Sequence, residues 1–409
     1  MLQRDADADV GVATRGHREG PARAGDAWPA WVRARLTALD PDDRAALAIW
    51  VAAHVALLAL AWAAAWVFRS STDHAPLTGA FQHWDANWLR NIAQHGYLAP
   101  GLKPDSEAFF PGFPLALAGA HLIVRNWVLA ELAVSAVAGC FAVVSLARLA
   151  GSRRAVLYLV TAPAAIFLLV GYSEALFLAL AIPAWLAARR GQWPRAALLA
   201  GLAGLTRPDG VFLIAALGVM ALTGRWGARA DRSSPAPGYS QAVRWVSAAT
   251  VSLAVAGPAA YVGYLRAVTG SWLAWLHAQQ AGWDLHLSTP AQTLRLTWWA
   301  AFRHPFAAGT AWEFQLELAA MAVMLLATLG FAAARRWPEA MYCGLAVAVL
   351  GTSTWLQTCP RTLLVLFPVW VALARLDARW PWIRYAYLAV SAPLAVVLAM
   401  LYLAGQWAG

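Results

Sequence analysis

Uncharged apolar windows long enough to cross a bilayer recur along almost the whole chain, and this recurrence constrains the fold more than any other feature. About 20 such residues span a membrane as a helix, and a backbone surrounded by hydrocarbon must satisfy its own hydrogen bonds, which a helix does within one segment. The first window covers residues 45–68, between Arg44 and Arg69. It is too long and too far from the start for a cleaved signal peptide. With 61% of the 409 residues hydrophobic and 13% charged, the chain carries more apolar surface than one soluble core can bury. An all-α, polytopic integral membrane protein is the expectation.

A net charge of +10 would suit nucleic acid, but the arginines stand in short clusters between apolar spans, so no nucleic-acid partner is expected. They report topology instead. Residues 1–44 are polar, carry seven arginines and read as a flexible basic cytoplasmic tail. Further clusters follow at 148–154, 189–195, 225–244, 335–336 and 375–384. With the tail they hold 22 of the 31 basic residues, and one path keeps them all inside, with the amino terminus cytoplasmic. That path makes 45–409 a single transmembrane domain. It needs spans near 155–171, 174–188, 245–265, 313–334, 339–357, 362–374 and 385–405, besides the first. The segment 196–223, broken at Arg207-Pro208-Asp209-Gly210, reads as two half-length helices meeting at the outer face. Residues 112–148 are interrupted at Arg125 and Asn126 and cross an odd number of times. The total is roughly 9 to 11 helices. No internal repeat stands out, and Cys140, Cys343 and Cys359 offer no disulfide framework.

Two long non-cytoplasmic loops, 69–111 and 267–312, are rich in Trp, His and Asp, and function is expected there. The first carries FQHWDANWLRNIAQHGY at 81–97 and the second SWLAWLHAQQAGWDLHL at 271–287, each suited to an interfacial helix. Asp85, between tryptophans close to the bilayer, is costly to desolvate without a partner or substrate. It reads equally well as the N-cap of a helix beginning in WDANW. Glu174, in GYSE, needs a partner for the same reason, either in a structural ion pair or cap or in the chemistry. His83 and His95 flank Asp85 and could orient it or bind hydroxyl groups, or be ordinary interfacial histidines. Asn87, Trp84 and Trp88 could shape a binding subsite, although with 24 tryptophans an interfacial belt is their default. Trp283, Asp284 and His286 form the other compact polar cluster. Glu131, His54 and His121 are intramembrane polar residues without a motif, read as buried hydrogen-bonding groups. No His, Cys or acidic grouping has metal-site spacing, so neither metal nor cofactor is expected.

Five stretches together carry a resemblance: HWDANWLRNIAQHGY at 83–97, AFFPGFPL at 108–115, VGYSEALFLAL at 170–180, RRGQWPRAALLAGLAGLTRPDG at 189–210 and CPRTLLVLFPVWVALA at 359–374. In this order they resemble the polyprenyl- or dolichyl-phosphate-mannose-dependent mannosyltransferases of the PIG-V type, over about 45–375. The alanine, arginine and tryptophan richness suggests a bacterial member. The resemblance implies the GT-C glycosyltransferase fold. It also implies transfer of a hexose, mannose above all, from a polyprenyl-phosphate donor to a glycolipid or glycan acceptor at the non-cytoplasmic face of a cell membrane.

By that resemblance Asp85 matches the acidic residue of the first luminal loop, a general base or acceptor-binding carboxylate. A carboxylate that takes the acceptor's proton would promote in-line attack and invert the anomeric centre. The lipid phosphate leaves without the protonation that a glycosidic oxygen needs. The departing phosphate calls for a cation. Arg361, expected at a helix amino terminus whose amides and dipole favour an anion, and Arg207, beside Asp209, are the candidates. Either could instead snorkel to headgroups or pair with a carboxylate. The family often shows a basic residue where this chain has Asp284, so acceptor recognition is expected to differ. Two rival readings are the same fold acting on arabinose or glucose, and a transporter or flippase of a lipid-linked substrate.

Overall fold

The computed structural model describes residues 40–68, 77–99, 105–224, 240–303 and 308–407. Every regular element among them is helical. Helix α1 (Pro41–Phe68) opens on Pro41 with Asp42 and Asp43 in its first turn, a start that suits the fixed proline φ and the positive helix end. Ala46, Trp50, Leu57, Ala61 and Ala64 face the protein, whereas Val51, Val55, Leu58, Trp62 and Trp66 are 57–75% exposed. A helix that buries one stripe and leaves an equally apolar face outward is built for a hydrocarbon solvent.

After a short 3-10 turn at Leu77–Phe81 come α2 (Asp85–His95), α3 (Gly112–His121) and α4 (Trp127–Ala150). Asn126 ends the ambiguity of 112–148: its Oδ1 accepts from the Leu129 amide at 3.0 Å and caps α4. The preceding α3 has ten residues, too short to cross, so this stretch holds one span. Then follow α5 (Arg154–Val160), α6 (Ile166–Leu169), α7 (Glu174–Arg189), α8 (Trp193–Thr206), α9 (Asp209–Thr223), α10 (Gln241–Ser252) and α11 (Ala256–Thr269). Helices α12 (Ala274–Trp283), α13 (Pro290–Phe302), α14 (Ala308–Ala333), α15 (Trp337–Leu350), α16 (Cys359–Val365), α17 (Phe367–Arg379) and α18 (Trp382–Leu403) complete the fold.

Five stretches are long and apolar enough to cross a membrane: Pro41–Val67, Trp127–Ala150, Gln241–Thr269, Thr310–Ala333 and Trp382–Leu403. A sixth exists if α16 and α17, bent by 72°, count as one. The polytopic, all-helical expectation holds, with several of the expected spans shorter or broken. The window 155–171 is not one helix, because Pro163 lacks an amide and its ring crowds the carbonyl four residues back, so α5 stops at Val160 and α6 is a single turn. The windows 339–357 and 362–374 also shorten, the first ending at Leu350 and the second breaking at Leu366, two residues before Pro368. The break at Arg207-Pro208 falls as the sequence indicates, giving α8 and α9 of 14 and 15 residues. Their hairpin closes because Gly210 lies against Gly204, where a Cβ would stand 2.4 Å from its Cα.

Two ends of the bundle differ in charge. Helices α4 and α7 pack side by side and run the same way, from the Ser135 hydroxyl donating to the Val170 carbonyl (2.6 Å) towards Arg148 and Arg189. At that far end Arg148 grips Asp43 at 2.6 Å, and Arg154 and Arg384 share Asp377 at 3.6 and 2.9 Å. The first cluster and Arg384 of the last therefore lie together, as the topology requires. Residues 1–39, Arg225, Arg229 and Arg232 lie outside the described residues.

Candidate active site

At the opposite end Asp85 is the first residue of α2. It does not act as a cap: no side-chain cap bond forms there. Its Oδ2 instead accepts from Arg361 Nη1 at 2.7 Å. Trp84, just before it, takes φ 51° and ψ −127°, a backbone state costing on the order of 1–3 kcal/mol for a non-glycine residue. The Trp84 indole donates to the Gln406 carbonyl at 3.1 Å and packs on Trp407, contacts that hold this turn. The Asp85 amide donates to the Tyr172 hydroxyl at 3.2 Å. Burial, followed by the Asp85 charge, pushes the Tyr172 phenol well above its ordinary value, so it stays protonated.

Arg361 is the hub. Its guanidinium stacks 4.8 Å from the centroids of both Phe167 and Tyr172, and its Nε and Nη2 each lie 2.9 Å from Glu174 Oε1. The same carboxylate accepts from Arg207 Nη1 at 2.7 Å, while Arg207 Nε holds Asp209 Oδ2 at 2.9 Å. Asp85, Arg361, Glu174, Arg207 and Asp209 thus form one chain of buried ion pairs, with Glu174 fully enclosed. Partners at this depth are obligatory, because an unpaired buried charge costs several kcal/mol. The sequence dispersed these five residues over four segments, and the fold joins them.

The expectation of open amides at Arg361 is corrected. Arg361 does lie in the first turn of α16, but Glu317 from α14 already accepts from the Thr358 and Cys359 amides at 2.9 and 2.7 Å. A carboxylate 42 residues upstream occupies the anion position that the local sequence offered. Thr358, at φ 61°, turns the chain into this cap.

Asp85, Arg207, Asp209 and Arg361 all line one cavity of about 400 Å³, within the usual range of roughly 300–1,000 Å³ for small-ligand sites. Its wall comes from both long loops. Phe109 and Trp283 line the cavity and pack edge-on at 5.5 Å, while Trp88, which does not line it, stacks on Phe109 at 5.6 Å and meets Trp283 at 6.1 Å. The segment after α12 is strapped to the loop before α16: the His286 amide donates to Thr354 Oγ1 (2.8 Å), Thr354 Oγ1 to the Asp284 carbonyl (2.7 Å) and the Ser288 amide to the Thr352 carbonyl (2.8 Å).

Not every expected residue reaches this cavity. Asp284 is 61% exposed and pairs with His286 at 3.0 Å; of the two, only His286 lines the cavity. His83 turns away to pack edge-on against Tyr402, and burial lowers its pKa, offset in part by the Leu403 backbone, so it is neutral near pH 7. Asn87 donates to the Gln82 carbonyl at 2.9 Å and accepts from Arg90, closing the turn. His95 is exposed at the far end of α2. Conversely, Tyr172, Ser173, Phe109, Gln357, Trp407 and Glu317 border or support the site although the sequence reading did not single them out. Only Tyr172, Ser173 and Phe109, inside the quoted stretches, carried any signal. Among the described residues no group of three or more His, Cys, Asp or Glu side chains could hold a metal ion.

No protein-family model matches the chain. Part of it is similar to GPI alpha-1,6-mannosyltransferase 2 of several mammals. The human protein is 35% identical over 156 residues, the mouse protein 36% over 156 and the rat protein 33% over 153. In each case the match spans 33% of this chain and 30% of the relative, so it is with about a third of a mannosyltransferase sequence that this helical bundle shares its likeness.

Proposed function

We propose that the chain is a membrane glycosyltransferase that moves a hexose, mannose first among candidates, from a polyprenyl-phosphate donor to a glycolipid or glycan acceptor. One observation carries this reading: Asp85 and Arg361 meet at 2.7 Å on the wall of a single cavity. A displacement at the anomeric carbon needs a carboxylate to take the hydroxyl proton and a cation for the departing phosphate. Here the two stand side by side. Arg207 serves by holding Glu174 and Asp209, and through Glu174 it aligns Arg361. Attack opposite to the phosphate inverts the anomeric centre. A GT-C arrangement of the bundle belongs to the same proposal.

Three further observations support it. The cavity opens at the end away from the Arg148, Arg154 and Arg384 clusters, which the positive-inside rule assigns to the cytoplasm, so the reaction belongs to the non-cytoplasmic face. The matched relatives bear the name of mannosyltransferases. A second cavity of about 410 Å³, almost wholly apolar and lined by Ile92, Tyr97, Pro114, Leu115, Ala260 and Tyr264, begins one residue from the first: Phe110 lines one and Pro111 the other. A hydrocarbon chain beside a charged reaction site suits a lipid-linked sugar.

Membranes containing the wild-type chain or Asp85→Asn, supplied with labelled polyprenyl-phosphate mannose, glucose or arabinose, test the proposal. Transfer of one sugar by wild type and its loss in the variant is the expected result. Unimpaired transfer by Asp85→Asn removes the base from the mechanism, and a preference for another sugar replaces mannose. A transporter would need charged groups along a path at mid-bilayer, whereas the ionic cluster gathers at one end of the bundle.

A further inference from the structure

The cavity has no uncommitted cation in its ionic chain. Three carboxylates (Asp85, Glu174, Asp209) face two guanidiniums (Arg207, Arg361), a formal balance of −1 when all are ionised. Arg207 is bound on both sides by Glu174 and Asp209, and both lie almost wholly out of solvent. The neighbouring helix start is closed to anions by Glu317. A phosphodiester entering beside these groups would meet net repulsion unless one carboxylate gives way. Asp85 is the member able to do so. It is held by a single bond to Arg361, is the least buried of the three, with 13% of its side chain accessible against 0% and 5%, and hangs on a strained turn.

We infer that the donor phosphate binds by displacing Asp85 from Arg361 Nη1, so that the resting ion pair is an autoinhibitory contact which loading of the donor releases. The inference rests on the reading of the site as a phosphate-linked glycosyltransferase. The exchange keeps one anion on Arg361 Nη1 throughout, while Glu174 stays on Nε and Nη2. It frees the Asp85 carboxylate only when a lipid phosphate is bound, and a freed carboxylate can accept a hydroxyl proton that a guanidinium-bound one resists.

The transfer then balances. The acceptor oxygen bonds to the anomeric carbon as the bond from that carbon to the phosphate oxygen breaks. The electron pair leaves with the lipid phosphate, whose added negative charge stays on Arg361, and the acceptor proton goes to Asp85. Once Asp85 passes that proton to the phosphate or to water, its return to Arg361 expels the lipid phosphate. A group that competes for the binding cation thereby serves both as gate and as ejector.

The test measures binding of undecaprenyl phosphate, without sugar, to the full-length purified protein in lipid nanodiscs. The proteins compared are wild type, Asp85→Asn, Asp85→Ser and Arg361→Gln, read by equilibrium binding and by ligand-induced thermal shift. Removing a competitor raises apparent affinity by the fraction of sites it had blocked, so Asp85→Asn should bind at least about fivefold tighter, with a larger thermal shift. Arg361→Gln should bind at least about tenfold weaker. Should the Asn variant fail to fold, Asp85→Ser carries the same expectation. Equal or weaker binding by the variants lacking the Asp85 charge overturns the displacement, even if transfer is lost. Retained transfer in Asp85→Asn overturns the base assignment instead, and the binding comparison then decides the displacement alone.

Discussion

Two ionic clusters lie at opposite ends of this bundle, built from the same chemistry with opposite charge balance. At one end Asp377 is fully buried and shared by Arg154 and Arg384, whose side chains are 39% and 28% exposed. Two cations serve one anion, and both arginines are partly exposed. At the other end three carboxylates share two enclosed arginines on the wall of a cavity. A clasp between helices satisfies its buried charge and spreads the remainder into solvent. A site that must receive an anion and return a proton keeps one carboxylate in excess, and that surplus separates reactivity from fastening.

The largest expected effect tests the surplus directly. Asp85→Asn should lower the transfer rate by about 10³-fold, within the usual range for a lost general base, with little change in unfolding temperature; a drop of less than about tenfold makes the two clusters equivalent. Next, Glu174→Gln strips the shared anion from both arginines. It should cost about 3 kcal/mol of stability, as breaking a buried pair does, and weaken donor binding as Arg361 loses its alignment; a fully stable variant would mean that Arg361 is fixed by its aromatic neighbours. Third, Asp377→Asn should cost about 2 kcal/mol, discounted because its arginines are partly solvated. Transfer per folded molecule should stay unchanged, and a catalytic defect there would erase the contrast. Smallest, Trp283→Ala should raise the acceptor KM by roughly threefold, about 0.7 kcal/mol of lost aromatic contact, with kcat retained. Steady-state kinetics on both variants would show an effect on kcat instead if Trp283 aligned the reacting atoms.

The class of fold was legible because apolar windows report their solvent regardless of tertiary detail. The bounds of the helices were not, because α5, α6 and α16 are apolar yet have seven, four and seven residues, and a window average does not see Pro163 or the turn at Leu366 within it. In the site, Asp85 and Glu174 were marked by the cost of placing charge near hydrocarbon, Arg207 and Arg361 by the need for a cation at a departing phosphate, and Asp209 by its place beside Arg207. The pairing among them was hidden by separations as large as the 276 residues between Asp85 and Arg361. Helical geometry could have sorted the neighbours of Asp85: Leu89, four residues on, lies within about 40° of it on the helix and lines the cavity, whereas Asn87 is turned by about 200°. Glu317 could not have been found, since its partners are backbone amides 41 and 42 residues away. The intramembrane Glu131 has an account too, facing Arg90 of α2 at 3.5 Å and so helping to seat the helix that carries Asp85.

The carboxylate of Glu317 over the start of α16 also bears on which carriers the protein can discriminate. With those amides taken, a leaving group meets side-chain donors such as Arg361 and not the backbone amides at the start of α16. Carriers activated through a diphosphate would bring an extra negative charge into a pocket already rich in anions. Under the proposed function, the enclosure would disfavour diphosphate-linked carriers by repulsion, and that discrimination would rest on Glu317, which lies over the helix start and not on the cavity wall.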